Sequence, residues 1–126
     1  MIRPINLPDR PPPDSYSLAV EATGVTRMLF LSGQVGVDID GSVPEDVADQ
    51  TRIAVAKVLT LLDQAGMTTA NIAKVSIFLT DESYLPGFMA GAGGTLPTPL
   101  PATTLLIVKA LASPAMKVEI EIIAVA

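Results

Sequence analysis

The chain has 126 residues, a formal net charge of −5 and no histidine or cysteine. This length suits one domain, residues 1–126, with a single hydrophobic core. The two missing residue types exclude cysteine nucleophiles, serine–histidine triads, disulfides and thiolate or imidazole metal ligands. Any acid–base chemistry must therefore use Asp, Glu, Lys, Tyr or bound water.

Charged residues make up only 17% of the chain, whereas apolar residues make up 49%. Soluble domains usually carry about 25% charged residues. With so little charge, one copy has difficulty covering its surface with polar groups, so the composition favours an oligomer. The eight Lys and Arg residues are scattered along the sequence. Because nucleic acids and anionic membranes bind clustered basic residues, we expect neither as a partner.

The first fourteen residues contain five prolines and no apolar run, which predicts an extended segment rather than a signal peptide. The uncharged stretch 83–108 is long enough to span a bilayer. However, its prolines and glycines would break a spanning helix. We therefore expect a cytoplasmic protein.

The pattern of apolar residues predicts a strand at 15–22 and a short buried strand at 27–37 that runs into a glycine-containing bend. A long helix follows at 42–66, where Ser42 and Glu45 have the spacing of a capping box and Gly66 ends the helix. Residues at helical spacing form its apolar stripe: Val47, Thr51, Ala54, Val55, Val58, Leu59 and Leu62.

Three further strands are expected at 72–80, 102–112 and 116–126. The segment between the first two is irregular and contains at most a short helical turn. The order β-β-α-β-(α)-β-β places one long helix against a sheet of about five strands. The sequence therefore predicts an α+β layer fold.

Three glycine-containing motifs have ordinary explanations. GAGG at 91–94 lacks the Lys-Ser/Thr that follows in a phosphate-binding loop, so a flexible loop is favoured. DIDG at 38–41 lacks the distal Glu of a calcium-binding loop and is interpreted as a turn. Ser32-Gly33-Gln34 comes directly after a buried strand. The spacing favours a glycine that permits close backbone approach over a backbone N–H that meets a ligand.

The stretch KVEIEII at 117–123 is typical of a strand, with Glu119 and Glu121 on one face. Residues two apart in a strand lie about 6.6 Å apart. The pattern alone favours an ordinary strand with one solvated face. The alternative is that one glutamate points into a cleft and handles a proton or a water molecule.

Four stretches together resemble the RidA/YjgF family of imine and enamine deaminases. They are FLSGQVGVDIDGSVPEDVADQTRIAVAKVLTLLDQAG, NIAKVSIFLTD, PATT and KVEIEIIAVA, and the resemblance runs from about Tyr16 to Ala126. It implies a chorismate-mutase-like α+β fold, with a sheet of about five to six strands packed by one long and one short helix. It also implies a homotrimer with a central barrel and clefts between subunits.

The resemblance further implies hydrolysis of reactive 2-imino or enamine acids to 2-keto acids and ammonia, with no metal or cofactor. Tyr16 matches the family's N-terminal tyrosine, and Gly33, beside Ser32, matches the glycine after the buried strand. Glu119 matches the glutamate that positions the hydrolytic water, which leaves Glu121 as a solvated or interface residue. The other predicted substrate-binding residues are Phe88, Met89, Thr103 and Leu105.

Two assigned positions depart from the family. Deaminating members carry an arginine after PA, where this chain has Thr103, and usually an asparagine near the position of Met89. A guanidinium supplies a charge and a planar pair of donors to a carboxylate, whereas threonine supplies one neutral hydroxyl. Each charge-assisted hydrogen bond that is lost costs about 1.5–3 kcal/mol. The sequence therefore predicts a small neutral or cationic ligand, unless Arg27 or Arg52 of a neighbouring subunit supplies the cation.

Three functions remain open on the sequence alone. The retained Tyr16, Gly33 and Glu119 favour a deaminase or related hydrolase with altered specificity. The missing arginine favours a non-catalytic trimer that binds a small metabolite or a protein partner. RNA cleavage, sometimes attributed to the family, conflicts with the sequence pI of about 4.4 and the absence of histidine.

Overall fold

The computed structural model describes residues 1–93 and 96–126 of the chain. Within these residues the chain forms six strands and two α-helices, which confirms the predicted α+β class. The strands are β1 (Ile2–Ile5), β2 (Ala19–Ala22), β3 (Met28–Val35), β4 (Ile72–Leu79), β5 (Ala102–Ile107) and β6 (Val118–Val125). The helices are α1 (Val47–Gln64) and α2 (Leu85–Gly91), with short 3₁₀ turns at Thr69–Asn71 and Glu82–Tyr84.

The main sheet has the strand order β3-β6-β4-β5. Strand β6 is antiparallel to both of its neighbours, whereas β5 runs parallel to β4. Helix α1 packs across one face of this sheet, against β3 and β6. The alternate residues of β6 that face α1 form the centre of the core: Val118, Ile120, Ile122 and Ala124.

Helix α1 begins later than the sequence predicts. Asp46 is the N-cap, and its carboxylate accepts a hydrogen bond from a backbone N–H of the first turn. Ser42 instead bonds Asp40 in the preceding turn, so no capping box forms there. The predicted end of the helix is confirmed, because Gly66 adopts a φ of +68° just after the last turn.

The predicted apolar stripe of α1 is buried, except at two positions. Val55 is half-buried and Leu59 is 48% exposed. Both residues lie along a cavity rather than in the packed core. The buried members of the predicted stripe are Val47, Thr51, Ala54, Val58 and Leu62.

The N-terminal segment contains a strand where an extended coil was expected. Residues 2–5 form β1, which pairs antiparallel with β2. Pro4 is compatible with this pairing because β1 is an edge strand. The six strands therefore divide into a two-stranded and a four-stranded sheet, not one sheet of five or six. A single bridge between Ser17 and Ala102 connects the two regions.

The strands predicted as buried at 27–37 and 102–112 are only partly buried. Both β3 and β5 are edge strands of the main sheet, and β5 ends at Ile107. Of β3, only Leu31 is buried. On the face away from α1, Met28, Phe30 and Leu106 are 56%, 66% and 49% exposed, respectively. This face therefore presents large apolar side chains.

Candidate functional site

The sequence predicted Ser32-Gly33-Gln34 directly after the buried strand. The structure instead places these three residues inside β3. The pairing of β3 with β6 shifts register between Leu31 and Gln34. Ser32 and Gly33 therefore form a bulge in the strand, which changes the direction of the backbone locally. The side chain of Gln34 donates to the carbonyl of Ser32 at 2.9 Å and closes the bulge.

Glu119 lies against this bulge. A Cβ atom built on Gly33 falls 2.6 Å from the Cγ atom of Glu119 and closer still to its carboxylate. A side chain at position 33 would force the flexible end of Glu119 to move. Glu119 is half-buried, whereas Glu121, on the same face of β6, is exposed. The two glutamates thus occupy different environments, and Glu119 supplies the side-chain atoms nearest to the glycine.

The other predicted site residues lie on the opposite face of the sheet. Thr103 pairs with Val75, and Val75 pairs with Ile122, which belongs to the core beneath α1. By the same register, Glu119 pairs with Phe78 on the other face. Within one chain, Thr103 and Glu119 therefore point away from each other.

Five of the predicted residues line one cavity of about 660 Å³ on the α1 side. They are Tyr16, Phe88, Met89, Thr103 and Leu105. The predicted site is thus divided within one chain. One part consists of Ser32, Gly33 and Glu119, and the other consists of the five residues in the cavity.

Tyr16 reaches the cavity because the next residue anchors its backbone to the start of β5. Ser17 is buried; its hydroxyl donates to the Leu100 carbonyl at 2.6 Å, and its N–H donates to the Pro101 carbonyl at 2.9 Å. This places Tyr16 beside the segment that leads to Thr103. Sequence reasoning did not identify Ser17, since a lone serine in a polar segment carries no distinctive signal.

The cavity also has walls that the sequence analysis did not assign to the site. They come from α1, β4, β6, α2 and the loop before β5. The sequence did contain one indication of this wall: the alternation of residues in β4 places Val75 and Ile77 on the same face. The unassigned lining residues are Ser15, Val55, Val58, Leu59, Thr69, Ile72, Val75, Ile77, Leu85, Ala92, Leu96, Pro97, Pro101, Ile120 and Ile122.

The hydroxyl of Thr103 is directed back to its own strand, where it donates to the Pro101 carbonyl at 3.3 Å. Among the described residues that line the cavity, none is charged. The two alternative cations are engaged elsewhere in the same chain. Arg27 donates to the Ala65 carbonyl at 2.8 Å, and Arg52 pairs with Asp49 on the surface of α1.

Acids in two surface turns have lowered pKa values. Hydrogen bonds from the hydroxyl and the N–H of Ser83 lower the pKa of Asp81, and those from Ser42 lower the pKa of Asp40. In the part of the chain that the structure describes, no group of three acidic side chains is placed to hold a metal ion.

The predicted loop at 91–94 falls partly on Gly94, which lies outside the described residues, while Gly91 ends α2.

Comparison with known proteins decides the family. The family model described as Endoribonuclease L-PSP matches residues 8–126. The chain belongs to this family. The L-PSP family includes the RidA/YjgF proteins, so the resemblance found in the sequence is confirmed.

Apart from residues 94–95, which are not described, no helix is long and apolar enough to cross a membrane.

Individual relatives support the same membership. Protein mmf1, mitochondrial, of Schizosaccharomyces pombe is 34% identical over 123 residues, covering 96% of this chain and 74% of its own. The "Putative reactive intermediate deaminase TdcF" of Escherichia coli is 33% identical over 70 residues, covering 55% of this chain and 54% of its own. The family thus includes proteins described as reactive intermediate deaminases.

Solved structures of the L-PSP family share this fold. YyfB from Yersinia pestis, described as a Rid family protein of unknown function, has a TM-score of 0.83 and 30% identity, covering 99% of this chain and 98% of its own. TdcF from E. coli with bound serine has a TM-score of 0.71 and 28% identity, covering 98% of this chain and 99% of its own. Both likenesses extend over nearly the whole chain.

Proposed function

We propose that the protein is a RidA-like hydrolase that deaminates a small imine, enamine or related metabolite. One observation carries this proposal: the half-buried carboxylate of Glu119 is held against the side-chain-free backbone of Gly33. A carboxylate in such a position can orient a water molecule and accept its proton. The bulge at Ser32 and Gly33 adds backbone groups close to the same point.

The reaction needs few protein groups. Water adds to the carbon of a C=N bond while the nitrogen takes a proton from solvent, and Glu119 takes the proton that the water loses. Glu119 then gives this proton to the nitrogen of the amino alcohol. The C–N bond breaks as the hydroxyl proton passes back to Glu119, which releases ammonia and a carbonyl compound, and Glu119 returns the proton to solvent. Tyr16 is the second proposed catalytic residue; its phenol would hydrogen-bond the substrate or the leaving nitrogen. No cofactor is required for these steps.

We propose that the complete cleft forms between subunits of a homotrimer. Glu119 and Gly33 lie near the β3 edge of the sheet, whereas Thr103 and Leu105 lie on the β5 edge and point to the other face. Two copies placed edge to edge could bring these halves together. The exposed apolar residues of the face away from α1, and the low content of charge, support assembly.

We propose a substrate without the carboxylate that the family's arginine binds. Thr103 stands at that position, and the cavity around it carries no charge among the described residues. A carboxylate placed there would be desolvated without a cation to compensate it. Phe88, Met89 and Leu105 provide apolar contacts instead.

The test compares two glutamates on the same face of the same strand. Ammonia release would be measured for neutral imines and enamines with the native protein, Glu119→Gln and Glu121→Gln. Loss of a general base typically lowers the rate by about 10²–10⁴-fold, and we expect this for Glu119→Gln only. Equal rates for the two variants would contradict the assignment. Absence of turnover by the native protein would contradict the hydrolase proposal itself.

A second candidate function is a non-catalytic trimer that binds a metabolite or a protein partner. Thr103 favours it, because the residue that anchors the substrate of deaminating members is missing. It predicts ligand binding without ammonia release, and binding that does not change in Glu119→Gln. The name Endoribonuclease L-PSP raises RNA cleavage, but eight basic residues against thirteen acidic ones give no basic surface for RNA.

The cytoplasmic location expected from the sequence stays a proposal. Some relatives are named as mitochondrial proteins, so family membership does not distinguish these compartments. Fractionation of cells that express the full chain would decide between them.

A further inference from the structure

The cavity on the α1 side lies beside the short second helix. Helix α2 has seven residues, and of these only Phe88 contributes a large buried side chain. Gly87 and Gly91 allow α2 to pack closely on α1, since a Cβ atom at either position would overlap Val47 or the backbone of Ala48. Residues of α2 thus form part of the cavity wall together with α1.

The cavity has the size and the chemistry of a small-molecule site. Its volume of about 660 Å³ falls within the range of about 300–1,000 Å³ that is typical of ligand pockets. Val75, Ile77 and Ile122 form its floor and Val58 its side. The polar side chains among the described lining residues are four hydroxyls: Ser15, Tyr16, Thr69 and Thr103.

The mouth of the cavity is also apolar. Leu59, Leu85, Met89 and Leu96 all line it and are 48%, 40%, 51% and 46% exposed, respectively. Large apolar side chains gathered at the entrance of a concave site mark a binding surface rather than ordinary solvent-exposed positions. The concave shape, walled by two helices and a sheet, suits a small molecule better than the flat surface of a protein partner.

We propose that this cavity binds an uncharged, largely apolar small molecule such as an aromatic or branched hydrocarbon group. A charged group would be buried there without a partner, at a cost of several kcal/mol. Apolar atoms gain about 25 cal/mol for each Å² removed from water. The hydroxyl of Tyr16 can donate or accept a hydrogen bond, and that of Thr103, which donates to Pro101, can accept one. These groups accommodate a single neutral polar group. Because Tyr16, Phe88, Met89, Thr103 and Leu105 line this cavity, the proposal names the ligand class of the site proposed above and rests on that assignment, but it does not require catalysis at Glu119.

The experiment uses two fluorescent probes that share their rings and differ in charge. N-phenyl-1-naphthylamine is neutral, and 1-anilinonaphthalene-8-sulfonate carries an added sulfonate. We expect saturable binding of the neutral probe to the full-length protein. We expect the sulfonate to bind about tenfold more weakly or worse, because the cavity has no cation to pair with it.

A matched pair of variants shows whether the probe occupies the cavity. Ala92 lines the cavity, whereas Ala90, two residues earlier, is exposed and outside it. Ala92→Phe should fill part of the volume and weaken binding of the neutral probe about tenfold. Ala90→Phe should leave binding unchanged. If Ala92→Phe does not fold, Val55→Phe on α1 fills the same space from the other wall.

The possible outcomes separate this proposal from the proposed hydrolase. Neutral-probe binding that falls in Ala92→Phe and not in Ala90→Phe supports the proposal, whether or not the protein releases ammonia. Absence of saturable binding would overturn it, and so would equal effects of the two variants. Binding of the sulfonate as tight as that of the neutral probe would also overturn it. Ammonia release is measured separately and does not enter these criteria.

Discussion

The side chain of Glu119 fills the space that a side chain on Gly33 would occupy. This contact joins β6 to the bulge of β3 and holds the carboxylate against the backbone. Since Glu119 lies on the opposite face of the sheet from Thr103, the contact defines one half of the candidate site. It also predicts that the two positions are energetically coupled.

Gly33→Ala should lower the free energy of unfolding by about 1 kcal/mol, at the low end of the cost of overpacking, because the atoms that the new Cβ atom overlaps belong to the flexible end of Glu119. In a Glu119→Ala background the cost should fall, since every overlapping atom lies beyond Cβ of Glu119. Urea denaturation of the two single variants and the double variant measures this coupling.

Gly36→Ala is the control for this cycle. A Cβ atom on Gly36 would overlap the Cα and Cβ atoms of Gln50, which cannot swing aside. The loss in the free energy of unfolding caused by Gly36→Ala should be the same with and without Glu119→Ala. Additive effects of Gly33→Ala and Glu119→Ala would mean that the contact with the glycine does not position the carboxylate.

Gln50 connects α1 to the strand that carries Glu119. It is fully buried; its amide donates to the carbonyls of Pro44 and Ala115 at 2.7 and 2.9 Å, and its oxygen accepts from Lys117 N–H at 2.8 Å. Gln50→Ala would leave these groups unpaired, at about 1–3 kcal/mol each when they stay buried. We expect a loss of about 3 kcal/mol in the free energy of unfolding, measured by urea denaturation.

Gln64→Ala is the matched control, because Gln64 is exposed at the end of the same helix. Surface substitutions of this kind change stability by about 0.5 kcal/mol or less. A Gln50→Ala protein as stable as the Gln64→Ala protein would contradict the role assigned to this network.

Phe30 tests whether the sheet face away from α1 is an interface. We expect the native protein to have the mass of three 13.1 kDa chains in sedimentation equilibrium. Phe30→Lys should shift it toward the monomer, because a charge on that face would be buried without a partner. Ile39→Lys is the control, since Ile39 is fully exposed in a loop. A native protein that sediments as a monomer would exclude the trimer.

Asp81 tests the acid dependence of stability. Hydrogen bonds from the hydroxyl and from the N–H of Ser83 lower the pKa of Asp81 from its ordinary value of 3.8. The N–H donates to the Asp81 carboxylate at 2.8 Å. A carboxyl whose pKa is lower in the folded than in the unfolded protein contributes its full stabilisation at any pH above the unfolded-state pKa. This contribution is lost as the pH falls through the folded-state pKa. Asp81→Ala should therefore be less stable than the native protein at neutral pH, with a difference that shrinks below pH 3.8.

The control for this pH dependence is Asp81→Asn, which keeps the shape of the side chain but cannot ionise. Its difference from the native protein should shrink over the same pH range as that of Asp81→Ala. Thermal unfolding at neutral and at acidic pH measures both differences. A constant difference for Asp81→Ala would show that its hydrogen bond to Ser83 does not act through the charged carboxylate.

Local patterns in the sequence predicted those elements that depend on local spacing. The stripe from Val47 to Leu62 and the glycine at 66 were sufficient to predict α1. Strand β1 was not predicted, because Pro4 is unfavourable in most strands and its edge position depends on pairing with a distant segment. Leu59 fits the helical stripe, yet it lies at the cavity and is 48% exposed, which its spacing in the sequence does not reveal.

The arrangement of the candidate site depends on strand register, which a single sequence does not specify. Glu119 and Thr103 each had a recognisable motif, yet their separation onto two faces follows from the pairing of β4 with β5 and β6. The bulge at Gly33 is likewise a shift between paired strands. The cavity required knowledge of which elements pack together, so most of its lining residues were not predicted.

The measurement that tests the central claim most directly is ammonia release from 2-iminobutanoate, generated in situ from threonine. The native protein would be compared with Thr103→Arg, and with Thr60→Arg, which adds the same charge at an exposed position of α1. We expect little release by the native protein and by Thr60→Arg. Thr103→Arg should be at least about tenfold faster, since one charge-assisted hydrogen bond contributes about 1.5–3 kcal/mol. Native release as fast as that of Thr103→Arg, or no release by any of the three proteins, would contradict a hydrolase whose substrate lacks the carboxylate.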